Sequence, residues 1–321
     1  MSDYYVMIPG EQFDSLSGEQ IVSLLETGHY SVLNAFRASS LTQGLKFLKI
    51  AFRFVIWWLF FSIGSEEKRI ETAKKRLTRL INRLAPSKTL NFPANLEGGT
   101  VLGFNHPSLG EIVRFIAIVI QRYGDQRIVF PVSLIWYEIF VQRLKRLNSL
   151  GIVITPMITN TVEERINQAN YHRRSVSQTL ASVKAKLNNH YLNVCKAELA
   201  AGSIVLVAPS ATRQATIFTS KAAYDKEEKL APSMSYIALA LARMFKKGEI
   251  KKCLFLPVTV IPENQDFGKN LNLHQTYTFI ANKSFNIEEV AATVKNSARE
   301  FDYQFLRLIA DSAPDYLKYP H

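Results

Sequence analysis

The chain of 321 residues has few cysteines and no long apolar run. Cys195 and Cys253 are its two cysteines, and they form neither a Cys-x-x-Cys pair nor a metal-ligand pattern. Isolated thiols of this kind favour a reducing compartment. The most apolar segment, 54–63, is ten residues long, whereas a helix that spans a bilayer needs about 20. It also starts too far from Met1 to predict a secretory signal.

Acidic residues are in short supply relative to basic ones. The chain contains 39 Lys and Arg against 27 Asp and Glu, which gives a net charge of +12. A basic balance of this size favours anionic partners, namely nucleic acids, membrane headgroups or phosphorylated substrates. No known nucleic-acid-binding motif accompanies the charge, so we expect no nucleic-acid partner. Internal repeats, low-complexity tracts and linkers are also absent from the sequence.

Two helices are predicted within residues 41–86. Residues 45–64 combine basic side chains three and four apart with two tryptophans, which suit the headgroup boundary. Residues 65–84 form a basic amphipathic pattern. We expect the pair to lie on, or dip into, one leaflet of a membrane. A buried aromatic helix and a solvated charged helix are the alternatives, and a spanning arrangement of 45–64 stays open. Residues 1–40 are predicted to be an N-terminal appendage.

An α/β pattern fills residues 87–321 and predicts a mixed, mostly parallel sheet flanked by helices. The predicted strands are short and apolar, which is typical of a sheet covered on both faces. They are Thr100–Phe104, Arg127–Val132, Gly151–Thr155, Ser203–Val207, Cys253–Ile261 and Gln275–Ile280. Helices are predicted at 107–122, 134–148, 161–200, 232–247 and 287–309.

The segment Thr100–Glu111, with the sequence TVLGFNHPSLGE, is the strongest candidate for a site. Its pattern predicts a strand, a tight turn that holds His106, and a helix that starts at Pro107, where proline is favoured. The positive end of the helix dipole favours a neutral imidazole, which can accept a proton. Glu111, one turn into the helix, can orient the ring and stabilise the imidazolium. The pair therefore suits a reaction in which a substrate hydroxyl is the nucleophile.

The spacing of this pair has little specificity by itself. With 6 His and 27 acidic residues in the chain, chance alone yields about 0.5 pairs five residues apart. A structural histidine near the helix start is therefore the alternative to a catalytic one. The strand–turn–helix context favours the catalytic interpretation of His106 and Glu111.

The His-x4-acid segment, with Pro107 after the His, resembles the signature of the glycerol-phosphate/lysophosphatidic acid acyltransferase superfamily. Three further blocks follow in the family's order over about residues 85–285. Gly151–Ile154 resembles the second block, Ala208–Arg213 a degraded third block, and Leu256–Val258 the fourth.

The chain departs from the family pattern within each of the first three blocks. Glu111 stands where the family has Asp, which adds one methylene, and Pro156 lies near the usual position of an Arg. Ser210 and Ala211 replace the Glu and Gly of the third block. The missing Arg of the second block and the altered third block favour an acceptor other than lysophosphatidic acid, such as another lysolipid, a glycolipid or an amine.

The resemblance implies a membrane-associated O-acyltransferase on the cytoplasmic face, which moves a fatty acyl group from acyl-CoA or acyl-carrier protein to a lipid hydroxyl. His106 and Glu111 are the expected catalytic residues. Arg213, with Thr212 and Ser210, is the expected binding site for an acceptor phosphate, since an Arg forks onto phosphate. Neither a metal nor a cofactor beyond the acyl donor is expected. The alternative is a non-catalytic lipid-binding relative that kept the fold.

Overall fold

The predicted α/β architecture is confirmed, because helices flank a mixed, mostly parallel sheet. The computed structural model describes residues 10–28, 30–36, 38, 54–61, 63–84, 86–107, 110–170, 174–210, 214–228, 234–263 and 275–320, without the side chains of 10–11, 141–144 and 174–176. Contacts divide the chain into two compact units. Unit 1 comprises Met1–Ala73 and Val129–Cys195, and unit 2 comprises Lys74–Ile128 and Lys196–His321. The division into an appendage, a helix pair and a catalytic domain stays a prediction.

Unit 1 contains two neighbouring strands and several helices around its own apolar core. Its elements are α1 Gly10–Asp14, α2 Gly18–Thr27, α3 Val32–Ala35, the helical residues 54–60 (α4), β3 Ile128–Ser133, α7 Leu134–Leu147, β4 Ile152–Met157, α8 Asn160–Ala169 and most of α9 Arg174–Ala200. Helix α5, Glu66–Leu84, begins in this unit and ends in unit 2. The core joins α2 and α7 through buried residues such as Leu25 and Phe140.

Unit 2 carries the greater part of the sheet. Its elements are β1 Lys88–Leu90, β2 Gly99–Phe104, α6 Gly110–Tyr123, β5 Ile204–Val207, α10 Lys221–Tyr224, α11 Ser235–Lys246, β6 Cys253–Pro262, β7 Tyr277–Ala281, β8 Phe285–Asn286, α12 Ile287–Asn296, α13 Ala298–Asp311 and α14 Asp315–Lys318. The strand order is β1-β7-β6-β2-β5, and β8 also pairs with β6. Strand β2 is parallel to both of its neighbours, β5 and β6, whereas β6 and β7 are antiparallel.

All six predicted strands are present, with ends within two residues of the prediction. Strands β1 and β8 were not predicted, because three and two residues are too few to show a pattern. The single helices predicted at 161–200 and 287–309 are wrong in their continuity. The first ends at Ala169 and a second begins at Arg174. The other is interrupted at Ser297, whose side chain accepts a hydrogen bond from the N–H of Glu300 and so starts a new helix.

The two helices predicted at 45–64 and 65–84 have different outcomes. Residues 54–60 are helical, and residues 45–53 lie outside the described part of the chain. The second helix extends over Glu66–Leu84, with Ser65 accepting from the N–H of Lys68 at its start. Within the described residues, no helix combines the length and the hydropathy that crossing a bilayer requires.

Aromatic packing fixes α6 against the sheet of unit 2. The Phe115 ring lies edge-on to Phe104 of β2, with centroids 5.1 Å apart, and stacks on Phe279 of β7 at 5.2 Å. On the other side of β2, Gly103 allows the ring of Phe305 to approach, since a Cβ there would lie 2.5 Å from the ring. All six residues of β2 are buried. The end of β2 is therefore held rigidly on both faces.

Candidate active site

Three of the four sequence blocks meet at one edge of the sheet. Gly103, just before the first block, is in register with Val207 of β5 on one side and with Pro257 of the fourth block on the other. The third block follows β5 directly. Because β2, β5 and β6 are parallel, their carboxyl ends lie at the same edge, where sites in α/β folds commonly form. The second block belongs to unit 1, where Gly151 adopts a positive φ of 78° and Ile152 begins β4.

The structure brings His106 and Glu111 together. Nδ1 of His106 is hydrogen-bonded to Oε1 of Glu111. The side chain of Glu111 is fully buried, and that of His106 is 10% exposed. With Nδ1 bound to the carboxylate, Nε2 is the ring nitrogen left to exchange a proton with a substrate. The predicted pairing of His106 with Glu111 is therefore present, whereas their roles as base and orienting carboxylate stay a prediction.

The predicted start of the helix at Pro107 is wrong. Helix α6 begins at Gly110, so Glu111 is its second residue and lies in its first turn. Residues 105–107 have no regular secondary structure, and 108–109 lie outside the described residues. His106 thus lies two residues after the end of β2, and the carboxylate of Glu111 contacts it from the first turn of α6. A carboxylate there is also favoured by the helix dipole.

Asn105 fixes the backbone that carries His106. Its Nδ2 donates to the carbonyl of Val260 at 2.9 Å, and its Oδ1 accepts from the N–H of Val260 at 2.7 Å. Phe104 is the last residue of β2 in register with β6. The side chain of Asn105 therefore replaces the backbone hydrogen bonds to β6 at the point where the pairing with β2 ends. In this way it sets the direction in which the chain continues after β2.

The carbonyl of His106 is held as well. It accepts a hydrogen bond of 3.0 Å from the N–H of Gln214, which follows the third block. The same segment is bound farther along, where the N–H groups of Ile217 and Phe218 donate to the carbonyls of Leu317 and Lys318 at 2.7 and 2.9 Å. The segment 214–218 is therefore tied both to the first block and to α14.

Arg114 is a buried charge beside the pair. Its side chain is 2% exposed, and Nη1 donates to the carbonyl of Gly110 at 3.1 Å. Its guanidinium carbon lies 5.2 Å from the centre of the Tyr277 ring. Burial lowers the pKa of Arg114 from its ordinary value, while Tyr277 and Glu111 oppose that shift. An Arg nevertheless remains protonated in proteins.

The predicted acceptor-binding residues are described only in part. Thr212 and Arg213 lie outside the described residues. Ser210 occupies a turn that follows β5, three residues beyond its last residue Val207, and is half-buried. The structure thus gives Ser210 a place near the carboxyl edge, whereas the assignment of all three residues to acceptor binding stays a prediction.

Sequence reasoning missed Asn105, Arg114 and Gln214 as parts of this site. Arg114 had a visible signal, since it is a single charge between Ile112–Val113 and Phe115–Ile116 in an apolar helix. Such a charge needs partners in a buried position. Asn105 and Gln214 act through hydrogen bonds to backbone groups distant in sequence, and no local pattern indicates those.

No group of three or more His, Cys, Asp or Glu side chains that could hold a metal ion occurs within the described residues. What the site does contain is a histidine hydrogen-bonded to a buried carboxylate, with a buried arginine on the same helix as that carboxylate. Such a set can take a proton from a hydroxyl group. No protein-family model matches the chain, and no curated protein does. The acyltransferase resemblance therefore rests on the residues named above.

Proposed function

We propose that the protein is an O-acyltransferase that moves a fatty acyl group from acyl-CoA or acyl-carrier protein to a hydroxyl of a lysophospholipid or related lipid. The observation that carries the proposal is the hydrogen-bonded His106–Glu111 pair at the carboxyl edge of the sheet. A paired base has no use in a protein that only binds lipid. Its partly exposed imidazole can meet a substrate, whereas its carboxylate is closed off from water.

In the proposed reaction, Nε2 of His106 takes the proton of the acceptor hydroxyl as its oxygen attacks the thioester carbonyl. Glu111 orients the ring through Nδ1 and stabilises the imidazolium that forms. Backbone N–H groups of the 103–110 connection hold the oxyanion. The tetrahedral intermediate then expels the thiolate, and the imidazolium returns the proton to it. The products are the acylated lipid and the free thiol.

Acceptor binding is assigned to Arg213, with Thr212 and Ser210 as small neighbours that let an anion approach. A guanidinium suits a phosphate because it donates two parallel hydrogen bonds. The altered third block favours an acceptor other than lysophosphatidic acid. No metal takes part in the proposed reaction, and the acyl thioester is a co-substrate.

Residues 54–84 supply the proposed membrane contact on the cytoplasmic face. Of the nine large apolar side chains that are exposed in the described residues, six lie in this segment: Phe54, Val55, Trp57, Trp58, Phe61 and Ile63. Ile56 and Leu59 of the same helix are buried. Helix α5 adds seven Lys and Arg against three Glu. An apolar face beside a basic helix is typical of proteins that bind anionic lipid surfaces.

Release of thiol from palmitoyl-CoA and from a palmitoyl carrier protein, in detergent and with a panel of lysolipids, tests the reaction. Wild type, His106→Ala and the control His190→Gln, a half-buried histidine of unit 1, are compared. We expect acceptor-dependent release in wild type and in the control, and its loss in His106→Ala. Absence of release with every donor and acceptor, from folded and vesicle-bound protein, favours the non-catalytic lipid-binding relative instead.

Sedimentation with vesicles tests the membrane contact separately. Trp57→Ser with Ile63→Ser removes two exposed apolar side chains of this segment, and Leu90→Ser removes one of similar exposure from β1. We expect the first variant to lose binding to anionic vesicles and the second to keep it. Equal binding by both variants contradicts the assignment. A DNA filter assay on the same proteins checks that the basic charge does not act on nucleic acid.

A further inference from the structure

The burial of Arg114 is costly and needs a reason. Its side chain is 2% exposed and lies on a helix whose neighbouring positions are apolar. A buried guanidinium loses its hydration, and an apolar side chain of similar volume is often at least as stable in such a place. Hence packing alone does not explain an arginine here.

The contacts of Arg114 connect it to the dyad. Arg114 follows Glu111 by three residues on α6, a spacing at which helical side chains are neighbours. The two charges interact, since Glu111 opposes the lowering of the pKa of Arg114. On its other side, the guanidinium group lies over the ring of Tyr277 from β7, whose hydroxyl donates to Gln275 at 2.8 Å. Tyr277 is thus an ionisable group that faces Arg114 from a neighbouring strand.

A fixed positive charge at this place has a definite effect on proton binding. It stabilises the ionised carboxylate of Glu111 and disfavours the addition of a further proton to the dyad. Without it, a neutral His106 would leave a buried and uncompensated anion, so the dyad would keep its proton to higher pH. An arginine suits this task better than other cations because it does not lose its own proton.

We propose that Arg114 is a positioning residue whose buried positive charge holds the carboxylate of Glu111 ionised and oriented toward His106. The inference rests on the proposed function, because it assigns a role within the same dyad. Arg114 is 2% exposed, and the role assigned to it acts through Glu111 and not through a contact with substrate. Its removal is therefore expected to change kcat and its pH dependence rather than KM.

Titration of the His106 ring by NMR tests the inference without any substrate. His106 is identified among the six histidines by comparison with His106→Gln. In Arg114→Met, we expect the midpoint of the His106 resonance to move to higher pH by about one to two pH units, from the Coulomb interaction of charges several ångströms apart. Arg114→Lys keeps the positive charge only while the buried ammonium group holds its proton, so its midpoint is expected between those of wild type and Arg114→Met.

Arg122→Met is the matched control. Arg122 lies on the same helix, donates to the hydroxyl of Thr89 at 2.7 Å and faces the ring of Phe92, but it is exposed and at the far end of α6. The inference is overturned if Arg114→Met leaves the midpoint within about 0.3 pH units of wild type. It is also overturned if Arg122→Met moves the midpoint equally, because the effect would then be one of total charge.

Rates measured over the same pH range provide the second readout. The acid limb of kcat/KM is expected to move with the NMR midpoint in Arg114→Met, with KM within about threefold of wild type. If wild type shows no acyl transfer but the midpoint moves, the proposed function fails and the role of Arg114 stands. If transfer occurs and neither quantity moves, the role of Arg114 fails and the proposed function stands.

A variant that leaves Arg114 in place covers the case in which Arg114→Met does not fold. In Glu111→Gln, the Nε resonance of Arg114 is expected to shift because its charged neighbour has gone, whereas the Nε resonance of Arg122 is expected to stay. An unchanged Arg114 resonance in the folded Glu111→Gln protein would overturn the inference.

Discussion

The side chain of Asn105 binds both backbone groups of Val260, at 2.9 and 2.7 Å, and so replaces a step of the parallel ladder between β2 and β6. Val260 is fully buried and Asn105 is 9% exposed. The bonds are formed one residue before His106. Because Val260 belongs to a buried, rigid sheet, these bonds hold the backbone of His106, the proposed base, in a fixed position.

Asn105→Ala is expected to lower both stability and turnover. It leaves the N–H and C=O of Val260 buried without their present partner, which costs about 2–4 kcal/mol in the free energy of unfolding. Turnover is expected to fall by more than about tenfold at a temperature where the variant is folded, because His106 loses its fixed backbone. Urea unfolding and thiol release measure the two effects.

Asn286→Ala is the control for Asn105→Ala. Asn286 accepts from the N–H of Glu289 at 2.8 Å and caps α12, so its loss costs about 1 kcal/mol without a change at the site. If Asn105→Ala and Asn286→Ala show the same turnover, Asn105 contributes stability alone.

Glu111→Gln is expected to reduce kcat by about 10²–10⁴-fold with a small change in KM. The amide has no charge to stabilise the imidazolium, and it does not select the tautomer that leaves Nε2 free. Glu111→Asp keeps the charge but moves it back by about one methylene, or roughly 1.5 Å, so a loss of about tenfold is expected. Steady-state rates of both variants are compared. A Glu111→Gln enzyme within threefold of wild type would exclude a catalytic dyad.

Gly103→Ala is expected to destabilise the strand that carries the site. A Cβ at this position would lie 2.5 Å from two ring carbons of Phe305, so the ring must move within a packed core. Such overpacking costs about 1–3 kcal/mol. Urea unfolding of Gly103→Ala, Phe305→Leu and the double variant measures the coupling. We expect the smaller leucine to relieve the clash, and strictly additive changes would show that the two positions do not compete for space.

Glu138 of α7 is expected to make the stability of unit 1 depend on pH. Burial raises the pKa of Glu138 to about 7, although hydrogen bonds from Ser31, Leu33 and Val32 oppose the shift. The folded state therefore keeps this proton up to about pH 7, whereas the unfolded chain loses it near the ordinary value of 4.5. Stability consequently falls as pH rises from about 4.5 through 7, by about 2–3 kcal/mol.

Urea unfolding at several pH values between 5 and 8 tests this dependence on Glu138→Gln. The amide oxygen can accept from the N–H groups of Val32 and Leu33, and the amide nitrogen can donate to Ser31, so the fold is kept. The fall in stability is expected to shrink in this variant and to persist in the exposed control Glu164→Gln. Curves for Glu138→Gln that run parallel to wild type would contradict the assignment.

The sequence indicated the features that depend on local patterns. Short apolar runs between polar turns predicted the six strands, and the contrast between Phe104 and the Asn-His-Pro that follows predicted the turn with His106. The sequence also identified Glu111 correctly as the hydrogen-bond partner of His106. Periodicity did not show where α8 ends before α9 or where Ser297 starts α13, because one polar residue in a periodic stretch looks like an exposed position.

The support around the dyad could not be predicted, for a different physical reason. Asn105 reaches Val260 over 155 positions, and Arg114 meets Tyr277 from a strand far along the chain. Pairings of this kind are set by the strand order, which places β6 beside β2 and β7 on the other side of β6. Of these supporting residues, only Arg114 had a signal in the sequence, because a single charge in an apolar helix indicates a buried side chain that needs a partner.

Each of the two units is assembled from two separate stretches of chain, so the stretches alternate along the sequence. Unit 1 is interrupted by Lys74–Ile128, which contains His106, Glu111 and Arg114, and unit 2 resumes only at Lys196. Because the coding segments of the two units alternate, a single recombination event cannot replace or delete one complete unit and leave the other intact. The proposed catalytic residues would be inherited together with unit 1, since any crossover that removes one unit cuts into the other.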